Sequence, residues 1–245
     1  QLALRSVERR TMGSGGRRSP KGGLSNTGGA QKLKFKAMDP AAQNSMLAVQ
    51  RQKQTGAALK AIHNYIDPTC YASNGFNHAQ NLNQALNTGR PLTAKQKATE
   101  SGLKSIMTPM QDNYILYRGD HDDMLKRIGI NMQQFNSTRS QAGDTQLQQA
   151  LVGQSWINKG FTSTSHTKGM SPFLPGGPAS GGREVILNIQ AKKGTKAALI
   201  QRSQAEVLLD TGTKFTITGA HYTGATAYPK QGGAKRQIII DVTAE

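Results

Sequence analysis

A chain of 245 residues with 36% hydrophobic and 5% aromatic residues has room for one catalytic-size domain, and its formal charge of +17 directs it toward an anionic partner such as nucleic acid, an acidic protein or a membrane face. A single cysteine, Cys70, excludes an intrachain disulfide framework and a cysteine zinc site, and is read as a small buried apolar residue. No run of about 18 apolar residues exists, so no membrane span is expected, nor does the first stretch carry an apolar signal segment.

Residues 1–37 form a basic Gly/Ser-rich tail expected to be flexible, with residues 38–245 as the folded domain. The first 36 residues carry +8 of the charge, and the remainder +9. Such a tail serves as a solvated linker or as an arm for nucleic acid or a partner. Gln1 in place of Met fits processing from a longer precursor or a fragment boundary.

From Asp39 a helical section begins, with Asp39-Pro40 as cap and first-turn proline and Met46, Val49, Leu59 and Ile62 as its apolar face. Further helices are expected over 77–86 and 93–107. Short β-branched or aromatic runs follow at 114–118, 160–165, 184–189, 197–200, 207–209, 214–222 and 237–242. Helices first and strands after make an α+β pattern. Residues 166–183 are too rich in Gly and Pro for regular structure and read as a long loop beside strand ends, where sites form.

Three segments carry chemistry: YRG at 117–119, FTSTS at 161–165 and QAEVLLDTG at 204–212. Arg118 ends an apolar run and precedes Gly119, so it emerges where a strand stops, with a planar fork suited to a pyrophosphate. In an extended FTSTS, Ser163 and Ser165 face one way and Thr162 and Thr164 the other. Glu206 stands at the start of a buried strand, after a bulge-prone stretch at 201–203. The five histidines show no metal-ligand spacing, and no metal is expected; Asp120, His121, Asp122 and Asp123 read as a solvated turn.

Arg118, Ser163 and Glu206 stand in that order at intervals of 45 and 43 residues, and the set resembles the Arg, Ser-Thr-Ser, Glu signature of mono-ADP-ribosyltransferases. Trp156, Lys159, Gly160 and Phe161 match the lead-in to the triplet, and the match covers about residues 40–243. The resemblance implies the ADP-ribosyltransferase fold, N-terminal helices followed by two packed β-sheets around an NAD cleft, with NAD as co-substrate. It implies that Arg118 holds the phosphates and ribose, that the Gly119 backbone bonds the carboxamide, and that Ser163 steadies a catalytic Glu206; Thr164 and Asn83 are further cofactor contacts. Phe173 is either a stacking partner for nicotinamide or a plug for its loop, and Asn87 stands where the family often has arginine. Gln204 gives the Gln-x-Glu form, shared with clostridial exoenzymes that modify Rho-type GTPases and with some DNA-directed members. It disfavours an arginine acceptor. Residues 199–203 match the acceptor-recognition loop but lack the aromatic often found in Rho modifiers.

The implied function is transfer of ADP-ribose from NAD to a macromolecular acceptor, a host protein before nucleic acid. The rival is a basic nucleic-acid-associated or virion protein with little catalysis. A bacteriophage protein injected into its host and a secreted bacterial toxin are the two expected homes.

Overall fold

The computed structural model describes residues 33–67, 75–120, 123–131, 143–168, 185–201, 205–222 and 238–245. Residues 1–32 of the tail, Cys70, Phe173 and Gln204 lie outside the described residues.

Four helices come first, and each start is written in the sequence. In α1 (Pro40–Gln52) the Asp39 carboxylate accepts the Ala42 amide at 2.8 Å, with proline in the first turn. The helical section divides after Gln52, because Thr55 caps a new helix, α2 (Gly56–Ile66), by accepting from Ala58. Reciprocal side-chain caps open α3 (His78–Thr88) at Asn77 and Gln80 and α4 (Ala94–Ile106) at Thr93 and Gln96. Helices α2 and α4 pack closely because Gly102 has no side chain: a Cβ there would stand 2.5 Å from the Ala61 Cβ.

The strands are β1 (Lys36–Ala37), β2 (Thr108–Pro109), β3 (Tyr114–Asp120), β4 (Ser155–Asn158), β5 (Thr162–Ser165), β6 (Val185–Ala191), β7 (Lys196–Gln201), β8 (Glu206–Leu209), β9 (Thr213–Tyr222) and β10 (Ile238–Ala244). Two short helices, α5 (Asp123–Arg127) and α6 (Asp144–Leu151), lie between β3 and β4. Lys36 and Ala37, the last residues of the expected tail, pair in parallel with β3 and so belong to the folded unit.

The two expected sheets are hydrogen-bonded into one path, β2-β7-β8-β5-β3-β6-β10-β9-β4. Its halves meet where β5 and β3 share the single pair Tyr117 and Ser165, while β3 and β6 pair over seven residues. Alternation drives the assembly: Tyr114 and Leu116 of β3, Leu187 and Ile189 of β6, and Ile240 and Val242 of β10 join Val207 and Leu209 of β8 in one core. The opposite face of β8 and β7, with Leu208, Ala198 and Ile200, packs on α2, α3 and α4 as a second core. At the β7 edge beyond β2, the buried Gln50 of α1 donates to the Leu199 carbonyl and accepts its amide, both at 3.0 Å.

Candidate functional site

The β period that sends Tyr114 and Leu116 inward sends Arg118 to the same face, one step past the apolar row. There its guanidinium donates to the Ser163 carbonyl at 2.7 Å, tying the end of β3 to β5. The register of β5 against β8 opposes Ser163 to Leu208 and Ser165 to Glu206, and directly opposed residues point the same way. Ser163 and Glu206 therefore share one face. Ala205, with φ 51°, takes the left-handed turn that brings the chain into β8, and its carbonyl is held by the His166 amide at 3.1 Å. The pairing of β7 with β8 shifts register between Leu199 and Gln201, while residues 202–203 of the stretch expected to bulge lie outside the described residues.

Burial raises the pKa of the Glu206 carboxyl above its ordinary 4.5, against the pull of the Ser163 hydroxyl and the Arg118 charge. A buried hydroxyl completes the cluster. Tyr65 of α2, also pushed up chiefly by burial, is eased toward ionisation by Ser163 and Asn83 and feels both Glu206 and Arg118.

The helical wall is fixed by amides. Asn83 donates to the Tyr65 hydroxyl at 2.9 Å and accepts the Phe161 amide at 2.8 Å. Asn87 donates to the Asn83 carbonyl at 2.9 Å and accepts the amides of Lys159 and Gly160 at 3.1 and 3.3 Å. Gly160 is required here, since a Cβ would stand 2.9 Å from both asparagine side chains. Tyr65 and Phe161 meet edge to face at 5.9 Å, and Trp156 stacks on Phe215 at 5.1 Å.

Between wall and sheet lies a cleft of about 320 Å³ whose lining includes Tyr65, Asn83, Arg118, Gly119, Phe161 and Ser163. A neighbouring cavity of about 670 Å³, bordered by Phe76, Gln84, Ile157 and Lys159, shares Asn83, Arg118 and Trp156 with it. Glu206 is not on the cleft lining itself, but Ser163 and Arg118, the two groups that pull on its carboxyl, are.

The structure thus brings Arg118, Gly119, Ser163, Glu206 and Asn83 together. Thr164 has a buried hydroxyl that donates to the Val207 carbonyl at 2.6 Å. Asn87 is a clamp on the 159–160 backbone. Sequence reasoning passed over Tyr65, Asn158 and Arg127, which join the site from separate segments. Among the described residues no group of three or more His, Cys, Asp or Glu is placed to hold a metal ion, and no helix is long and apolar enough to cross a membrane.

Comparison with known proteins adds to this geometry. A family model described as ADP-ribosyltransferase exoenzyme matches residues 36–244. Plx2a, an ADP-ribosyltransferase toxin from Paenibacillus larvae, is similar over 87% of this chain and 99% of its own, at 16% identity and TM-score 0.59. C3stau2 from S. aureus, solved with NAD, is similar over 84% of this chain and 93% of its own, at 22% identity and TM-score 0.58. The ADP-ribosylating toxin BECa of C. perfringens, solved with NADH, matches 86% of this chain and 50% of its own, at 17% identity and TM-score 0.62. At these identities the structural likeness concerns the fold. No curated protein sequence matches the chain.

Proposed function

Because the chain belongs to the ADP-ribosyltransferase exoenzyme family and is an NAD-dependent mono-ADP-ribosyltransferase, we propose that it modifies a non-arginine side chain of a host protein, through a site centred on Arg118, Ser163 and Glu206. The observation that carries the site is the linkage of these three: the Arg118 guanidinium on the Ser163 carbonyl, and the Ser163 hydroxyl and Arg118 charge acting on the buried Glu206.

In the transfer, the bond between nicotinamide nitrogen and ribose C1′ breaks with its electron pair going to nicotinamide, which leaves neutral. The acceptor side chain forms the new bond to C1′ and gives up its proton. The ribose carries oxocarbenium character between these events. Glu206, held rigidly and partly desolvated, stabilises that positive charge far more than a solvated carboxylate would. The Ser163 hydroxyl favours the ionised form of the carboxyl and orients it, and Arg118 binds phosphate and ribose. The Gly119 backbone on the cleft lining suits the nicotinamide carboxamide.

The acceptor reading rests on Gln204, two residues before Glu206 in the sequence: an amide there orients an acceptor by hydrogen bonding but cannot deprotonate a guanidinium. Delivery outside the producing cell or particle, as a toxin or an injected protein, suits a macromolecular host target. The test is transfer from labelled NAD into a host lysate by the wild type and by Glu206→Gln, with the labelled species identified by mass spectrometry. A Glu206-dependent label on an asparagine or another non-arginine side chain supports the reading. Label on arginine overturns the acceptor class, label on nucleic acid overturns the protein target, and undiminished transfer by Glu206→Gln overturns the assigned chemistry.

A further inference from the structure

Two cavities meet in the site, and the residues common to both are Gln80, Asn83, Asn87, Arg118, Arg127 and Trp156. A dinucleotide that spans them has a riboside in each and its pyrophosphate, with two negative charges, at the junction. Four of the six residues are neutral, and the amides of Asn83 and Asn87 are engaged within the protein. Arg118 and Arg127 are the cations among the six.

Arg127 closes α5 as an exposed side chain, yet one end of it is fixed: Nη1 donates to Asn158 Oδ1 at 2.7 Å. Asn158 is a rigid post. It is buried, its Nδ2 donates to Thr162 Oγ1 at 2.6 Å, and its carbonyl accepts the Gly212 amide at 2.7 Å. That single bond uses one of the five N–H donors of the guanidinium. Arg127 borders both cavities with one end of its fork already fixed, which lowers the entropy lost on gripping an anion. We propose that Arg127, oriented by Asn158, is the second pyrophosphate-binding residue of this enzyme, alongside Arg118. This inference rests on the NAD-binding role proposed for the cleft.

The test uses the chain's one tryptophan, Trp156, which borders both cavities and reports binding by fluorescence. NAD, ADP-ribose and nicotinamide riboside, which lacks phosphate, are titrated into the wild type, Arg127→Ala, Arg127→Lys and Asn158→Ala. A lost charge-assisted contact predicts NAD and ADP-ribose binding weakened about tenfold or more in Arg127→Ala, with nicotinamide riboside unchanged and part of the loss recovered in Arg127→Lys. Asn158→Ala should weaken the same two ligands to a smaller degree. Wild-type NAD affinity in Arg127→Ala overturns the proposal, as does an equal loss for all three ligands, which would mean a collapsed cleft. A wild type that binds nicotinamide riboside but not NAD or ADP-ribose overturns the proposal and the NAD-binding reading together, whereas normal wild-type binding with an indifferent Arg127→Ala removes the proposal alone.

Discussion

The helical wall and the strand floor of the cleft are built on opposite principles. On the wall, Asn83 and Asn87 spend neutral amides on the backbone of 159–161 and on the Tyr65 hydroxyl, so each donor and acceptor named there is satisfied within the protein. On the floor, Glu206 is a carboxyl whose burial opposes its own ionisation, against the opposing pull of Ser163 and Arg118. The wall is therefore where stability is stored, and the floor is where stability is given up for chemistry.

Substitutions should separate these two regions. The largest effect is expected for Glu206→Gln, which should lower nicotinamide release on the order of 10²- to 10³-fold, the usual scale for losing one preorganised electrostatic contact. Its thermal midpoint at neutral pH should equal or exceed that of the wild type. The folded pKa of Glu206 lies above its unfolded value, so the native state is disfavoured by the buried charge at neutral pH and relieved as pH falls through the raised pKa. Glutamine carries no such penalty. A midpoint clearly below wild type would show that Glu206 is part of the scaffold after all.

Asn83→Ala should behave in the reverse sense. It strands the Phe161 amide and removes a partner of the buried Tyr65 hydroxyl, so denaturant unfolding should report a loss of about 1–3 kcal/mol. Gly160→Ala forces the loop off both asparagines and should weaken NAD binding, read as a rise in KM with a smaller change in kcat. The subtlest effect is on pH dependence. The acid limb of the wild-type rate should lie above the ordinary 4.5 of a glutamate, and Ser163→Ala should move it higher still, because the Ser163 hydroxyl favours the ionised form. A limb that moves down would separate the Glu206 carboxyl from Ser163.

Legibility divides along the same line. The α+β order, the cap at Asp39 and all seven expected strands follow from local pattern, because a cap or an alternation needs only neighbouring residues. Strands β1 and β2 have two residues each and no period to read, and α6 offers only Leu147 and Leu151 as a buried stripe. In the site, Arg118, Ser163 and Glu206 announce themselves as motifs. The bond from Arg118 to a carbonyl 45 residues away does not, since any residue at 163 supplies that acceptor. Arg127 and Asn158 were invisible for a related reason: neither sits in a motif, and their meeting depends on where α5 and β4 come to rest. The bond from Thr164 to the Val207 carbonyl was illegible too, because the strand period places a hydroxyl on a face without saying that a carbonyl waits there.

The grip of Gln50 on Leu199 has a further consequence. Strand β2 covers β7 only at Ala197 and Lys196, so the next stretch of β7 backbone would otherwise offer an unpaired donor and acceptor to any extended chain that met it. The glutamine amide imitates one residue of a neighbouring strand and ends the ladder there, since a side chain has no following residue with which to continue it. A helix thus guards the sheet against self-association. Gln50→Ala should reopen that edge, and the change should be felt first in solubility at high concentration rather than in turnover.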